Sequence, residues 1–244
     1  MELNDQEIKS LDLTLSSAGA NLACDEALLD ACEAGVGPQA LRFWEPCDYF
    51  VVVGYANQIR REVNVDACAR ENVPILRRCS GGGTILQGPG CLNYALVLRF
   101  DKSCPLASVS GTNSYVMERN RQALTAALGL PITVRGFTDL TVNDLKFSGN
   151  AQRRKRRALM FHGTFLLNFD LDRIGRMLPM PSTEPSYRQN RPHQSFLTNL
   201  NIPAAKVRTA LEAVWSATTP LEVAPDCEQL VRENYGRDEW NWKF

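Results

Sequence analysis

Histidine is almost missing from this chain: its 244 residues contain only His162 and His193. The eight cysteines, Cys24, Cys32, Cys47, Cys68, Cys79, Cys91, Cys104 and Cys227, never form a C-x-x-C pair. Zinc sites draw on clustered histidine and cysteine, so there is little here to build one. Cysteines scattered through a chain of this size predict reduced thiols and a cytoplasmic protein, not a disulfide scaffold. An excess of either charge is also lacking, since Lys+Arg and Asp+Glu both total 27. Attraction to a partner must therefore be local, and the overall balance favours neither nucleic acid nor membrane. No run approaches the about eighteen apolar residues of a membrane-spanning helix. The opening MELNDQEIKS carries acids early and no basic region before an apolar one, so no secretory signal is expected. Repeats and low-complexity segments are absent too.

What is present suits one globular core: 44% hydrophobic and 22% charged residues. A single domain over residues 1–244 is expected. ANLACDEALLDACEA (20–34) has helical spacing and stops at Gly35. ALRFWEP and YFVVVGY read as strands, the second suited to a buried position. NVDACARENV is a short helix starting at Asn64 or Asp66. PILRRCS and GCLNYALVLRF are strands on either side of three glycines. SYVMERNRQALTAALGL is the strongest helix, followed by strands near 132–135 and 139–146 and by FHGTFLLNFD. After the short helix DLDRIGRML, the Pro-, Ser- and Asn-rich residues 179–201 are mostly loop. PAAKVRTALEAVWSAT begins a helix with Pro203 in its first turn, and DCEQLVRENY is a last short helix. Interleaved strands and helices predict an α/β (α+β) domain in which a mixed β-sheet is flanked by helices.

The stretch ILRRCSGGGTILQGPG carries the first chemical signal. Gly81, Gly82 and Gly83 permit positive φ and close approach of backbone N–H groups to an anion. Arg77 and Arg78 supply charge-assisted donors for phosphate or carboxylate, and strand alternation turns only one of them toward a site. No Gly-Lys-Ser/Thr follows, so this is not a Walker loop. The residues after the glycines are β-like, which also excludes a dinucleotide-binding G-x-G-x-x-G turn. What remains is a strand-loop-strand cradle, or a glycine-rich hairpin with solvated arginines.

The second signal lies in GFTDLTVNDLKFSGNAQRRKRRALMFHGTFLLN (136–168). Lys146 stands beside SGNAQRR, and HGT follows on the next strand. Together, RRCSGGG, GCLNYALV, the DL…KFSGNAQRR block and HGTFLL resemble the lipoate–protein ligase A family, in the same order and spacing, over roughly residues 20 to 200. The resemblance implies a fold shared with biotin ligases and class II aminoacyl-tRNA synthetases. It implies ATP and lipoate or octanoate as substrates, with Mg2+ accompanying ATP, an acyl-adenylate intermediate, and transfer to a lysine of a lipoyl domain. Partners implied are the acidic lipoyl-domain proteins of 2-oxo acid dehydrogenases and the glycine cleavage H protein.

In that resemblance Lys146 is the catalytic residue, holding the acyl carboxylate and the α-phosphate together. Arg78 corresponds to an ATP-contacting arginine, and Gly83, Thr84, Ile85 and Leu86 to the segment lining the nucleotide, with Gly81 and Gly82 shaping the loop. Arg77 is either a second site residue or a structural ion-pair partner. Asn93 and Asp139 hold strands and Lys146 in place. His162 lies near the acyl pocket, as a ligand contact or as a hydrogen-bonded structural residue. Gly149, Ala151 and Gly163 border a thin aliphatic tunnel. The basic run QRRKRR (152–157) is an exposed hairpin tip or an attractor of an acidic partner.

Two departures bear on activity. Many family members carry a C-terminal accessory domain, whereas this chain stops at Phe244, so a separate accessory subunit is one expectation. The rival chemistry is an ATP-independent octanoyl or lipoyl transfer through a cysteine thioester. No cysteine occurs between Cys104 and Cys227, which favours the ligase. The glycine loop also lacks the G-R-G-R-x-G-R pattern of biotin ligases.

Overall fold

The apolar run Cys91–Arg99 is the hydrogen-bonded centre of the fold, buried at every position but its last. The computed structural model describes residues 7–101 and 105–244, so Cys104 lies outside the described residues. Its strands are β1 (Ile8–Asp12), β2 (Gln39–Trp44), β3 (Phe50–Val53), β4 (Ile75–Arg77), β5 (Ile85–Gln87), β6 (Cys91–Arg99), β7 (Ile132–Arg135), β8 (Asp139–Val142), β9 (Leu145–Arg154), β10 (Ala158–Leu166) and β11 (Thr219–Pro220). The helices are α1 (Ala18–Ala34), α2 (Ile59–Glu62), α3 (Val65–Arg70), α4 (Val109–Leu128), α5 (Leu171–Met177), α6 (His193–Phe196), α7 (Ala204–Trp215), α8 (Glu228–Leu230) and α9 (Asp238–Asn241). Among the described residues, no helix is long and apolar enough to cross a membrane.

Eight strands form one mixed sheet in the order β11-β1-β2-β6-β10-β9-β8-β7. The β11-β1-β2 side is parallel and the rest antiparallel. One face packs α4 and α7 through Phe43, Leu96, Phe147, Phe165, Val116 and Leu211. The other packs α1 through Leu28, Leu29, Ala40, Ala95, Val97 and Met160. A small second sheet, β4-β3-β5, lies beside it. Alternation of side chains in β6 and β10 serves both faces at once, which is why apolar residues occupy consecutive positions in both.

Helix ends follow local chemistry. Ser17 Oγ accepts from Ala20 N to start α1, two residues before the periodicity suggested, and Gly35 ends it at φ 81°. Asn64 caps α3. The expected strand over 139–146 is two strands: Asn143 and Asp144 take φ of 52° and 59° and pair Val142 with Leu145 across a tight turn. Asn and Asp tolerate that left-handed pair of dihedrals, so their short polar side chains marked a hairpin turn inside an apparently continuous strand. Strand β1 and helix α2 went unread, and β5 was read only within the β-like stretch that follows the glycines. The 179–201 region is mostly loop, as expected, with a turn of 3-10 helix at Ser186–Arg188 and the short α6.

Candidate active site

Lys146 reaches the site through a defect in its strand. Leu140 pairs with Ser148 and Thr141 with Lys146, leaving Phe147 as an extra residue in β9. Strict alternation would put Lys146 and Gly149 on opposite faces. Phe147 instead enters the α4/α7 core beside Phe165, and Lys146 turns to Gly149's side. Its ammonium lies 2.8 Å from Asp139 Oδ1. A Cβ at Gly149 would sit 2.8 Å from Lys146 Nζ and 2.9 Å from Cε, so glycine is what lets the lysine lie across the strand.

Asp139, Gly149, Thr164 and Asn93 stand in register on β8, β9, β10 and β6. Thr164 Oγ1 donates to Asn93 Oδ1 at 2.6 Å, and Gln87 Nε2 donates to both Asn93 Oδ1 and Thr164 Oγ1 at 2.7 Å. Asn93 and Asp139 thus hold strands and the lysine, as expected of them. Gln87, from β5, ties the small sheet to the large one.

The glycine loop crosses the end of β3, because β4 and β5 flank that strand instead of pairing with each other. Gly54 ends β3, and a Cβ there would come within 2.2 Å of Gly82 O. Asn57 Nδ2 donates to Gly82 O and Thr84 Oγ1, both at 3.2 Å. Gly82 takes φ 87°, and its missing Cβ would lie 3.4 Å from Ala151 Cβ on β9. Gly81 and Gly83 have open space at the same position, leaving their backbone accessible to a ligand.

The two arginines take different roles. Arg78 is buried and folds under the loop, donating to Ser80 Oγ at 3.1 Å, Gly81 O at 2.7 Å and Gly83 O at 2.7 Å. Burial pushes its pKa down to about 10, so it stays cationic at neutral pH. Arg77 is structural, and its partners are carbonyls instead of the carboxylate of an ion pair. Its Nη1 serves Gly54 O, Tyr55 O and Asn57 O at 2.9–3.0 Å. Its backbone is held by Asn241 Oδ1 and Trp240 Nε1.

His162 Nε2 meets Ser80 Oγ at 2.6 Å. Burial, then the neighbouring Arg78 charge, push its pKa down to about 3, so the ring is neutral. The pair joins β10 to the glycine loop, beside Ala151, its cross-strand partner. Gly163 does not share this face. Its missing side chain would meet Asn150 Oδ1 at 1.9 Å, and Asn150 accepts from Tyr94 on the other side of the sheet. Its place in a tunnel bordered by Gly149 and Ala151 is excluded by strand alternation. Ile85 and Leu86 lie in β5, with Leu86 packed among Val51, Val53 and Met177, so only its backbone can face a nucleotide.

Neither Ser80 nor Tyr187 stood out in the sequence. Tyr187 donates to Asp139 Oδ2 at 2.8 Å, so Asp139 bridges Tyr187 and Lys146. The basic run is a hairpin tip whose charges are largely engaged. Lys155 pairs with Asp30, Arg157 donates to Glu33 O, and Arg154 lies 4.3 Å over Phe100 and donates to Leu106 O. Burial pushes the thiols of Cys24, Cys79 and Cys91 up to about 12. Those of Cys32, Cys68 and Cys227 are raised too, again mainly by burial.

A loop of open backbone amides thus sits against a sheet face that presents an ammonium group and small residues. Such a face suits a substrate that brings phosphate and carboxylate together. The arrangement forms a candidate anion-binding site on an α/β scaffold, and comparison with known proteins gives the family. The model of the lipoyl protein ligase A/B catalytic domain matches residues 17–214, and the chain belongs to that family. A lipoate-protein ligase A subunit 1 of Thermoplasma acidophilum is 27% identical over 239 residues, spanning 91% of this chain and 90% of that protein. An octanoyltransferase LipM of Clostridioides difficile is 28% identical over 187 residues, 67% of each chain. The fold is shared with an archaeal bi-partite lipoate protein ligase from T. acidophilum, at a TM-score of 0.82, 23% identity and coverage of 97% and 96%. It is also shared with a lipoate-protein ligase A bound with ATP, at 0.81, 24%, and 97% and 98%.

Proposed function

We propose that this protein is an ATP-dependent lipoate–protein ligase. The acyl carboxylate of lipoate or octanoate attacks the α-phosphorus of ATP, the Pα–O–Pβ bond breaks, and pyrophosphate leaves. An acceptor lysine on a lipoyl domain then attacks the acyl carbonyl and AMP departs. Lys146 holds carboxylate and α-phosphate together and stabilises charge as the mixed anhydride forms. The backbone of Gly81–Thr84 holds phosphates, with Arg78 bracing the loop from beneath and the β5 backbone beside the nucleotide. Gly149 and Ala151 leave room for a thin acyl chain, and His162, through Ser80, lies at its border. The observation that carries this reading is the bulge in β9, which brings Lys146 onto the face covered by the glycine loop.

ATP is bound by one protein of this fold and lipoic acid by another, a T. acidophilum ligase of TM-score 0.80. Among the described residues no three His, Cys, Asp or Glu side chains gather to hold a metal, and Asp139 is engaged by Lys146 and Tyr187. Magnesium would therefore enter with the nucleotide, on its phosphates. Acceptors are lipoyl domains, by analogy with the archaeal ligase and its E2 lipoyl domain. The name subunit 1 of the T. acidophilum relative makes a separate accessory subunit part of this proposal, as is a cytoplasmic location.

The second reading, ATP-independent transfer through a thioester, is favoured by the relatives named octanoyltransferase. The raised thiols weigh against it, because the thiolate is the nucleophile. Pyrophosphate release from ATP with lipoate or octanoate tests the choice. We expect substrate-dependent release that falls at least about 100-fold in Lys146→Ala, and acylation of a lipoyl domain in the full reaction. Acyl transfer from an acylated carrier protein without ATP, and no release, would overturn the ligase reading.

A further inference from the structure

The in-register row that contains Asp139 and Gly149 does not end at β8. Arg135, on the edge strand β7, pairs with Asp139, so its side chain leaves the sheet on the same face as the lysine's carboxylate partner. Two strand spacings, roughly 10 Å, separate β7 from β9. The glycine loop lies over the β9–β10 side, so Arg135 stands on the opposite flank of Lys146.

A cavity of ≈ 350 Å³ opens there, lined by Arg135, Asp144, Tyr187, Gln189 and Arg191. Gln189 and Asn190 both adopt left-handed backbone, at φ 52° and 57°, which curls the 186–191 turn over the hairpin. Arg191 Nη2 donates to Tyr187 O at 3.0 Å and to Asp144 O at 3.3 Å. Arg135 donates to Asp144 Oδ1, with Nε at 2.9 Å. That ion pair is about half exposed on both sides, 46% and 59%. An exposed pair contributes little stability and exchanges partners readily. Tyr187 is shared by the cavity and by the site, since its hydroxyl holds Asp139.

We propose that this cavity receives a carboxylate side chain of the acceptor protein, carried close to the lysine that is acylated. The inference rests on the reading of the chain as an enzyme that acylates a protein. Arg135 releases Asp144 and takes the incoming carboxylate, and Arg191 lines the far wall. Docking there places the acceptor lysine one side chain, Tyr187, away from the Asp139–Lys146 pair. A small acyl acid or a nucleotide has no need of this position, because the glycine loop lies beyond Lys146. The partner it fits is a macromolecule approaching the free edge of the sheet. Two arginines on a fixed turn and hairpin select acidic over neutral surfaces.

The test is a binding titration of a fluorescently labelled lipoyl domain against the whole chain, with neither ATP nor acyl acid present. Wild type is expected to bind with an affinity that falls as salt is raised. Arg135→Glu should weaken binding at least about tenfold, the two partners being like-charged. Asp144→Asn, which frees Arg135, should tighten it about two- to threefold by the same reasoning. A lipoyl domain whose acidic residues beside the modified lysine are changed to lysine should recover affinity for Arg135→Glu. Equal affinity of wild type and Arg135→Glu, or a loss that the charge-swapped domain does not relieve, would sink the proposal. So would undetectable binding by the wild type. Acceptor-free pyrophosphate release is measured in parallel. It should be unchanged in Arg135→Glu, and a raised KM for ATP would assign the cavity to the nucleotide instead. If wild type releases no pyrophosphate yet the charge swap works, the ligase reading fails and the docking site stands.

Discussion

At the scale of single residues, His162 carries the clearest pH signature. Its pKa is about 3 in the folded protein against an ordinary 6.5. Protonation is therefore favoured in the unfolded chain between those values, and unfolding takes up a proton there. The stability this neutral ring contributes is fully present above pH 6.5 and is lost as pH falls toward 3, at up to about 1.4 kcal/mol per pH unit. Denaturant unfolding of wild type between about pH 7 and 4 should lose stability more steeply than that of His162→Gln, which cannot titrate. Identical slopes would show that the ring titrates alike in the folded and unfolded chain, and that burial does not depress it. Lys146 and Asp139 are a different case: a partly exposed pair, positioned by Gly149 and the bulge. Arg78 is different again, because its donors are committed to the carbonyls of its own loop.

Single elements act through the ends they present. Strand β4 ends in Arg77, and the C-terminal segment grips that residue from both sides: Asn241 Oδ1 accepts its N–H at 3.0 Å and Trp240 Nε1 donates to its carbonyl at 2.9 Å. Phe244 stacks on its guanidinium, centroid 5.3 Å away. Because Arg78 and the glycines follow directly, the segment sets where the loop starts. Trp240→Ala removes the indole hydrogen bond and its packing against Tyr55 and Tyr235. It is expected to weaken ATP binding about tenfold, about one to two kcal/mol being the range for a buried hydrogen bond with its neighbours. Affinity for lipoate should hold within about twofold, since the proposed acyl face lies on β9 and β10. Equilibrium binding of each substrate separates the two; a parallel loss of both would mean general loosening of the fold.

Over the whole molecule, the accessibility of the described thiols offers a test between the ligase and transferase readings. Cys24, Cys32, Cys68, Cys79 and Cys91 are buried, Cys227 is half-buried and Cys47 is exposed. Alkylation of the native protein, followed by mass spectrometry, should label Cys47 first and leave the five buried thiols unmodified. Acyl transfer by the alkylated Cys47→Ser variant should match that of the untreated enzyme. Inactivation of that variant would return the thioester mechanism to consideration. The family model covers residues 17–214, so the segment that braces Arg77 lies outside the residues it matches.

Most elements longer than a few residues were legible because their signals are local: the α1 and α4 periodicities, the Gly35 stop, the apolar run of β6. The motifs around the glycines and Lys146 were legible too, since backbone freedom and charge at fixed spacing are properties of the sequence itself. Which face each residue serves was not. Alternation read along β9 would have set Lys146 against Gly149, and only the extra Phe147, drawn into a core it shares with Phe165, turns the lysine round. Alternation also sets Gly163 on the face opposite Gly149 and Ala151, and its register became visible only with Asn150 beside it. Ser80, Tyr187 and the grip on Arg77 depend on partners 48 to 164 positions apart. The sequence by itself determined the longer elements and the family motifs. Tertiary structure decided register, facing and long-range partners, because burial and hydrogen-bond satisfaction are shared between segments that no local pattern connects.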